Sequence, residues 1–318
     1  MRDDKFPHQH HRRRNAAIAL LKLAACLIIL SLTYALGYLS SSATTPFSSS
    51  PPHHNNIPSL PTPVLLDTPT ADTVATAATA VEQFRVRTLC SPPLPHHLVR
   101  STILQKLFNG TSPFRDFPPH HVRHLLHPKR IKGWGSNGAV FENLVRQVRP
   151  RLIIEVGSFL GASAIHMASL TRQLGLPTQI LCVDDFRGWP GFLDRFSELF
   201  MVHGDVSLLY QFMQNVVASN ASGSVLPLPF STGSVLDSLC EWGVYGDLIE
   251  VDAGHDFNSA WSDINRAYRI LRPGGVLFGH DYFTAADNRG VRRAVNLFAQ
   301  INRLKVKVDG QHWVLVSD

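Results

Sequence analysis

Cysteine is scarce in this chain of 318 residues: Cys26, Cys90, Cys182 and Cys240 are the whole set. None of the four forms a C-x-x-C pair, so the usual spacing of a structural zinc site is missing. Spacing alone neither requires nor forbids a Cys90–Cys240 disulfide. The glycine turn at Gly157–Gly161 lacks the G-x-G-x-x-G spacing of a dinucleotide pyrophosphate site. A Tyr-x-x-x-Lys pair is absent, which further weakens a nicotinamide-dependent dehydrogenase. So is the Asp-x-Asp metal motif expected of a Golgi glycosyltransferase. No basic stripe is interleaved with aromatics, and no internal repeat is visible. The net charge of +6 owes much to Arg2, Lys5, Arg12, Arg13 and Arg14, so no nucleic-acid partner is expected. The sixteen histidines gather in short clusters such as His8-His10-His11 and His120-His121-His124. These read as solvated, low-complexity sequence rather than metal sites.

What is present begins with an apolar run. Ala16 to Leu39 is broken by Lys22 and a few hydroxyl residues. A helical span needs about 20 apolar residues, and this run exceeds the roughly 7–15 of a cleaved signal peptide. The competing reading is cleavage after Ser40-Ser41-Ser42-Ala43. Arg12–Arg14 precede the run, and no Lys or Arg follows it until Arg85. The positive-inside bias therefore predicts a single-pass type II protein, with residues 1–15 a cytosolic basic tail and 16–39 a signal anchor. Golgi or endomembrane placement with a lumenal domain follows from that orientation. The sequons Asn109-Gly110-Thr111 and Asn220-Ala221-Ser222 are consistent with it. Residues 40–89 are rich in Ser, Thr and Pro and cannot bury enough apolar surface to offset chain entropy, which predicts a flexible stalk.

Residues 131–318 change texture, after a segment 90–130 expected to cap the site. Apolar runs alternate with helical patterns: Leu152–Val156, Ile180–Val183, Val225–Leu228, Asp247–Val251 and Gly275–Gly279. That alternation predicts βαβ units and a parallel, Rossmann-like α/β sheet. Trp261, Ile264, Tyr268 and Leu271 recur at helical spacing and are expected in the core. Leu304–Val308, Asp309-Gly310 and His312–Ser317 predict a terminal hairpin.

Four constellations carry chemistry. Glu155-Val156-Gly157-Ser158-Phe159-Leu160-Gly161 runs from a strand into a helix, with glycines where the backbone turns tightly beside a ligand. About 25 residues on, Asp184-Asp185 closes the next strand, where a carboxylate can accept ribose hydroxyls. A third strand ends at Asp252, with His255 shortly after, and a fourth ends at His280-Asp281. Ligands in open α/β sheets bind beyond the carboxyl ends of strands. Asp252, His255, His280 and Asp281 are therefore expected to converge.

Taken in order, Glu155-Val156-Gly157…Gly161, Val183-Asp184, Asp252-Ala253-Gly254-His255, Arg272-Pro273-Gly274-Gly275 and Gly279-His280-Asp281-Tyr282 resemble the class I S-adenosyl-L-methionine (SAM)-dependent methyltransferases. More narrowly they resemble the metal-dependent macrocin- and cephalosporin-type O-methyltransferases, in a plant-type membrane-anchored form. The resemblance implies a seven-strand sheet whose last strands form the antiparallel hairpin. It implies SAM held by Glu155, Gly157, Ser158, Gly161, Asp184, Ser231 and Asp252, with Ser231 near the adenine. It assigns catalysis to His255 as general base with Asp252. It places a divalent metal such as magnesium on Asp252 and Asp281. His280 stands where the family often has Asp, which makes it the candidate third ligand. The acceptor would be a small molecule or a glycan. The alternative is a non-catalytic SAM-binding or interaction protein on the same fold.

Overall fold

A computed structural model describes residues 89–199 and 201–317. The basic tail 1–15, the expected span 16–39 and all of the stalk 40–89 except Leu89 lie outside the described residues. Among the described residues, no helix is long and apolar enough to cross a membrane.

In chain order the elements are α1 (His96–Phe108), α2 (Ala139–Val148), β1 (Leu152–Val156), α3 (Ala162–Gln173), β2 (Gln179–Val183), the short pair β3 (Met201–Val202) and β4 (Asp205–Val206), α4 (Leu208–Ala218), β5 (Val225–Leu228), α5 (Thr232–Glu241), β6 (Gly246–Val251), α6 (Phe257–Arg269), β7 (Leu271–Gly279), α7 (Ala286–Asn302), β8 (Leu304–Asp309) and β9 (His312–Ser317). The main sheet has seven strands in the order β5-β2-β1-β6-β7-β9-β8. The first five run parallel. Strand β9 is antiparallel to β7 and pairs with β8 as the expected hairpin. The chain builds outward from β1 to β2 and β5, then returns to the other side of β1 with β6. That reversal opens a crevice at the carboxyl ends of β1 and β6, where ligands bind in such sheets.

The parallel strands β1, β2 and β5 are buried almost end to end because helices cover both faces. Alternation then splits each strand between two cores. Leu152, Ile154 and Val156 face one core with Val99 of α1, Leu236 of α5, Ile264 of α6 and Phe298 of α7. Ile153 faces the other with Phe141 of α2, Met167 of α3 and Phe212 of α4. Burying one such isoleucine is worth about 1.5–3 kcal/mol.

Three expectations are corrected or sharpened. Strand β7 starts at Leu271 rather than Gly275. Arg272-Pro273-Gly274-Gly275 bulges within it, between the Gly246↔Leu271 and Leu248↔Val276 pairs. Leu271 therefore leaves the helical stripe, and Tyr268 is exposed, its ring edge-on to Phe298. A 3.6-residue period ran past the end of α6 because the next strand also begins with an apolar residue. Val99 and Ile103 of α1 pack on a sheet face, and Arg100 donates to Gln179 Oε1 (3.0 Å) at the amino end of β2. Cys90 and Cys240 form a disulfide across 150 residues of chain, and Cys182 is free and buried.

Candidate active site

The glycine turn follows β1. Gly157 has φ +90°, and a Cβ there would run into the main-chain carbonyl of Asp252. Glycine is thus required at 157 for β1 and β6 to end side by side, with Asp252 N donating to Val156 O at 2.7 Å. Gly161 has φ +82° as the residue capping α3, and a Cβ would stand 2.9 Å from the Phe212 ring.

Asp184 holds this turn. Its Oδ2 accepts the amides of Ser158 (2.9 Å) and Phe159 (2.8 Å), and its Oδ1 accepts the amide of Phe186 (2.7 Å). Both oxygens expected for ribose are therefore engaged by backbone. The exposed carboxylate at this strand end belongs to Asp185. Glu155 is likewise turned inward, accepting hydroxyl protons from Ser158 (2.7 Å) and Ser163. Burial pushes its carboxyl up, against those bonds. Ser231 is exposed before α5, and its hydroxyl donates to Ser234 Oγ at 2.9 Å. Sequence position located the turn correctly, but it could not tell a ligand contact from a carboxylate that props the turn.

Phe159, Phe186 and Asp281 carry φ of 43°, 54° and 60° within a few residues of strand ends. Left-handed backbone is unfavourable for such residues and gathers at functional sites.

The second cluster forms where β6 and β7 end. His255 Nε2 lies 2.8 Å from Asp281 Oδ2. His280 Nδ1 lies 3.3 Å from the same oxygen and 3.8 Å from Asp252 Oδ1. Burial pushes the Asp252 carboxyl up to about 7, with Asp281 adding to the shift and His280 and His255 opposing it. At Asp281 burial also acts upward, but the hydrogen bond from His255 and the neighbouring His280 imidazole outweigh it and hold the carboxyl well below its ordinary range. The bond to Asp281 raises His255 against its burial. His280 is buried, and neither of its ring nitrogens has a geometrically good hydrogen bond. A cavity of about 10 Å³ beside Asp252, His255, His280 and Asp281 has room for roughly one water or ion.

Asp252, His255 and Asp281 each offer a ligand atom, all within 4.8 Å of one another. Together with the unsatisfied nitrogens of His280, the donor set fits a divalent cation. Two imidazoles among the donors suit a transition metal better than magnesium, whose ligands are oxygens.

Several residues missed in the sequence complete the site. The segment 131–138 runs over it, and the chain entering that segment is held by buried amides of α4. Asn215 Nδ2 donates to Arg130 O (2.9 Å) and Leu160 O (2.9 Å), while Gln211 exchanges hydrogen bonds with the His127 backbone (2.8 and 2.9 Å). An open cavity of about 550 Å³ lies between this segment and Ala162 at the start of α3. That is the volume of a small-molecule cleft. His312 stacks edge-on to His280 at 4.7 Å, and burial pulls it down to about 4. The only sequence signal for the segment was its glycines, Gly133, Gly135 and Gly138, which periodicity does not flag.

Among curated proteins, the rhamnosyl O-methyltransferase of Mycobacterium tuberculosis is 36% identical over 45 residues, covering 14% of this chain and 18% of the relative. The matched segment is thus a small part of that relative's length. An O-methyltransferase of tomaymycin synthesis from Streptomyces achromogenes, solved with SAM, is 15% identical, with a TM-score of 0.43, covering 75% of this chain and 96% of that one. An O-methyltransferase from Bacillus cereus, solved with S-adenosylhomocysteine (SAH), is 18% identical, with a TM-score of 0.41, covering 75% and 97%. Residues 154–282, from within β1 to just past β7, match the family model of a methyltransferase domain, and this part of the chain is a methyltransferase domain.

Proposed function

We propose that the chain is a SAM-dependent O-methyltransferase acting on a hydroxyl of a glycan or small metabolite. The observation that carries this is the meeting, at adjacent strand ends, of a glycine turn and a cluster of two carboxylates and two imidazoles. The turn and the 550 Å³ cleft beside it would hold the cofactor. The rhamnosyl acceptor in the name of the mycobacterial relative favours a sugar hydroxyl.

In the reaction, an acceptor oxygen lone pair attacks the sulfonium methyl in line. The C–S bond breaks, and its electrons remain on sulfur as the neutral thioether SAH. His255 takes the hydroxyl proton, since it is half-exposed and oriented by Asp281 through Nε2. A divalent cation held by Asp252, Asp281 and His280 would, when bound, lower the acceptor hydroxyl pKa. Asp184 and Asn215 fix the turn and the overlying segment, so much of the rate enhancement would come from positioning two bound reactants.

The domain is further proposed to lie in the lumen of the endomembrane system, behind the anchor expected at 16–39. A Cys90–Cys240 disulfide belongs to oxidising compartments, and the sequon residues Asn109 and Asn220 are both exposed.

The test is transfer of label from methyl-labelled SAM to oligosaccharide acceptors. Wild-type protein should transfer label, and His255→Ala should lower turnover by about 10²–10⁴-fold while SAM binding stays within about twofold. Loss of SAM binding in His255→Ala would place that residue in the cofactor pocket instead.

A further inference from the structure

Trp134 and Trp189 come from segments far apart in the chain and are 50% and 44% exposed. Their rings lie 6.3 Å apart, and each packs on Phe159, at 5.7 Å and 5.6 Å. Buried Phe196 backs the group, 4.9 Å from Phe159 and 6.0 Å from Trp134. Leaving two indoles half in water forgoes much of the gain from burying them. Their meeting on one surface marks a recognition patch rather than scattered apolar exposure.

The patch adjoins the chemistry. Phe159 belongs to the glycine turn. Trp134 precedes Gly135, where a Cβ would stand 2.6 Å from His280 Nε2. Neighbouring Cα atoms are about 3.8 Å apart, so the backbone of Trp134 passes close to His280. Lys132, Gly133 and Gly135, the neighbours of Trp134, line the 550 Å³ cavity.

We propose that Trp134, Trp189 and Phe159 form the acceptor platform and that it takes a sugar ring; this rests on the methyl-transfer reading. A pyranose has an apolar face of axial C–H bonds and a rim of hydroxyls. It therefore needs an open aromatic floor with polar groups at the margin. The three rings are tilted to one another by 36°, 42° and 57°, so together they form a contiguous aromatic surface rather than a parallel stack. A flat phenolic ring is better served by offset-stacked or edge-on partners enclosing it. Exposed Lys132, Asp185 and Arg187 flank the aromatic surface along the chain and supply donors and acceptors for hydroxyls.

The experiment is calorimetric titration of the full chain with defined oligosaccharides (rhamno-, arabino-, xylo- and cello-oligomers) and, separately, with simple phenols and with SAM. At least one oligosaccharide should bind. Trp134→Ala and Trp189→Ala should each weaken it by about tenfold, with SAM affinity changed less than about twofold. Trp134→Phe and Trp189→Phe should retain most of the binding, which separates stacking from a folding defect. Saccharide binding lost in the Ala variants, in a protein that gives no heat with SAM, would remove the methyl-transfer reading while leaving the platform as a saccharide site. Binding of phenols alone, no saccharide binding across the panel, or an equal loss of SAM affinity in the Ala variants would each overturn the platform.

Discussion

At Gly157 two strand ends and a ligand turn share the space of one missing side chain. Gly157→Ala would force an L-residue into left-handed backbone, at about 1–2 kcal/mol, and drive its methyl into the Asp252 carbonyl. The expected outcome is loss of SAM binding together with a lowered melting temperature, read by calorimetry and thermal denaturation. Glu250 presents the opposite problem, an ionisable group with no outlet. It sits beside Glu155 in register, fully buried, with Oε2 unpartnered. Burial, then the nearby charges of Glu155 and Asp252, push its carboxyl well above the usual range. The folded state thus holds a proton that the unfolded chain releases near pH 4.5. Stability from this group is complete below that pH and is lost as pH rises towards the folded-state pKa. Glu250→Gln should therefore stabilise the protein more at pH 8 than at pH 5, by on the order of 1–3 kcal/mol at the higher value. Equal shifts in melting temperature at both pH values would show that Glu250 is not protonated in the fold.

Elements set how far these residues can move. The disulfide ties the segment before α1 to the end of α5, and Arg272 Nη2 donates to Leu94 O at 2.8 Å nearby. Replacing both cysteines by serine should cost about 2–5 kcal/mol and leave SAM affinity nearly unchanged, because α1 contacts the amino end of β2, away from the site. Strands β1, β2 and β5 were legible in the sequence almost residue for residue, since a strand buried on both faces writes a continuous apolar run. The start of β7 was not, because Arg272-Pro273-Gly274-Gly275 carries turn residues and the strand absorbs them as a bulge. The acids and histidines at strand ends were legible as neighbours because topology fixes where parallel strands finish. Asp184 bonding backbone amides was not legible, because a carboxylate that props a turn and one that binds ribose occupy the same position. The overlying segment 131–138 was missed for a related reason: Asn215 and Gln211 hold the chain leading into it, at Arg130 and His127, from α4 about 80 residues away, and no local pattern records such a contact.

For the whole molecule, the proposed lumenal address rests on the disulfide and the exposed sequon residues Asn109 and Asn220. Expressed in eukaryotic cells, the full chain should lose apparent mass on N-glycosidase treatment, and Asn109→Gln with Asn220→Gln should abolish the change. An unshifted, cysteine-reduced protein would place the domain in the cytosol. The central claim, however, concerns the turn and its cofactor. It is tested most directly by titrating the full chain with SAM in a calorimeter, beside Asp184→Ala, which removes the carboxylate holding the amides of Ser158, Phe159 and Phe186. Saturable binding of one SAM per chain is expected, weakened by about tenfold or more in Asp184→Ala as the turn loses its support. No heat with SAM at millimolar concentration, or equal affinity in the variant, would contradict the assignment of this turn to the cofactor.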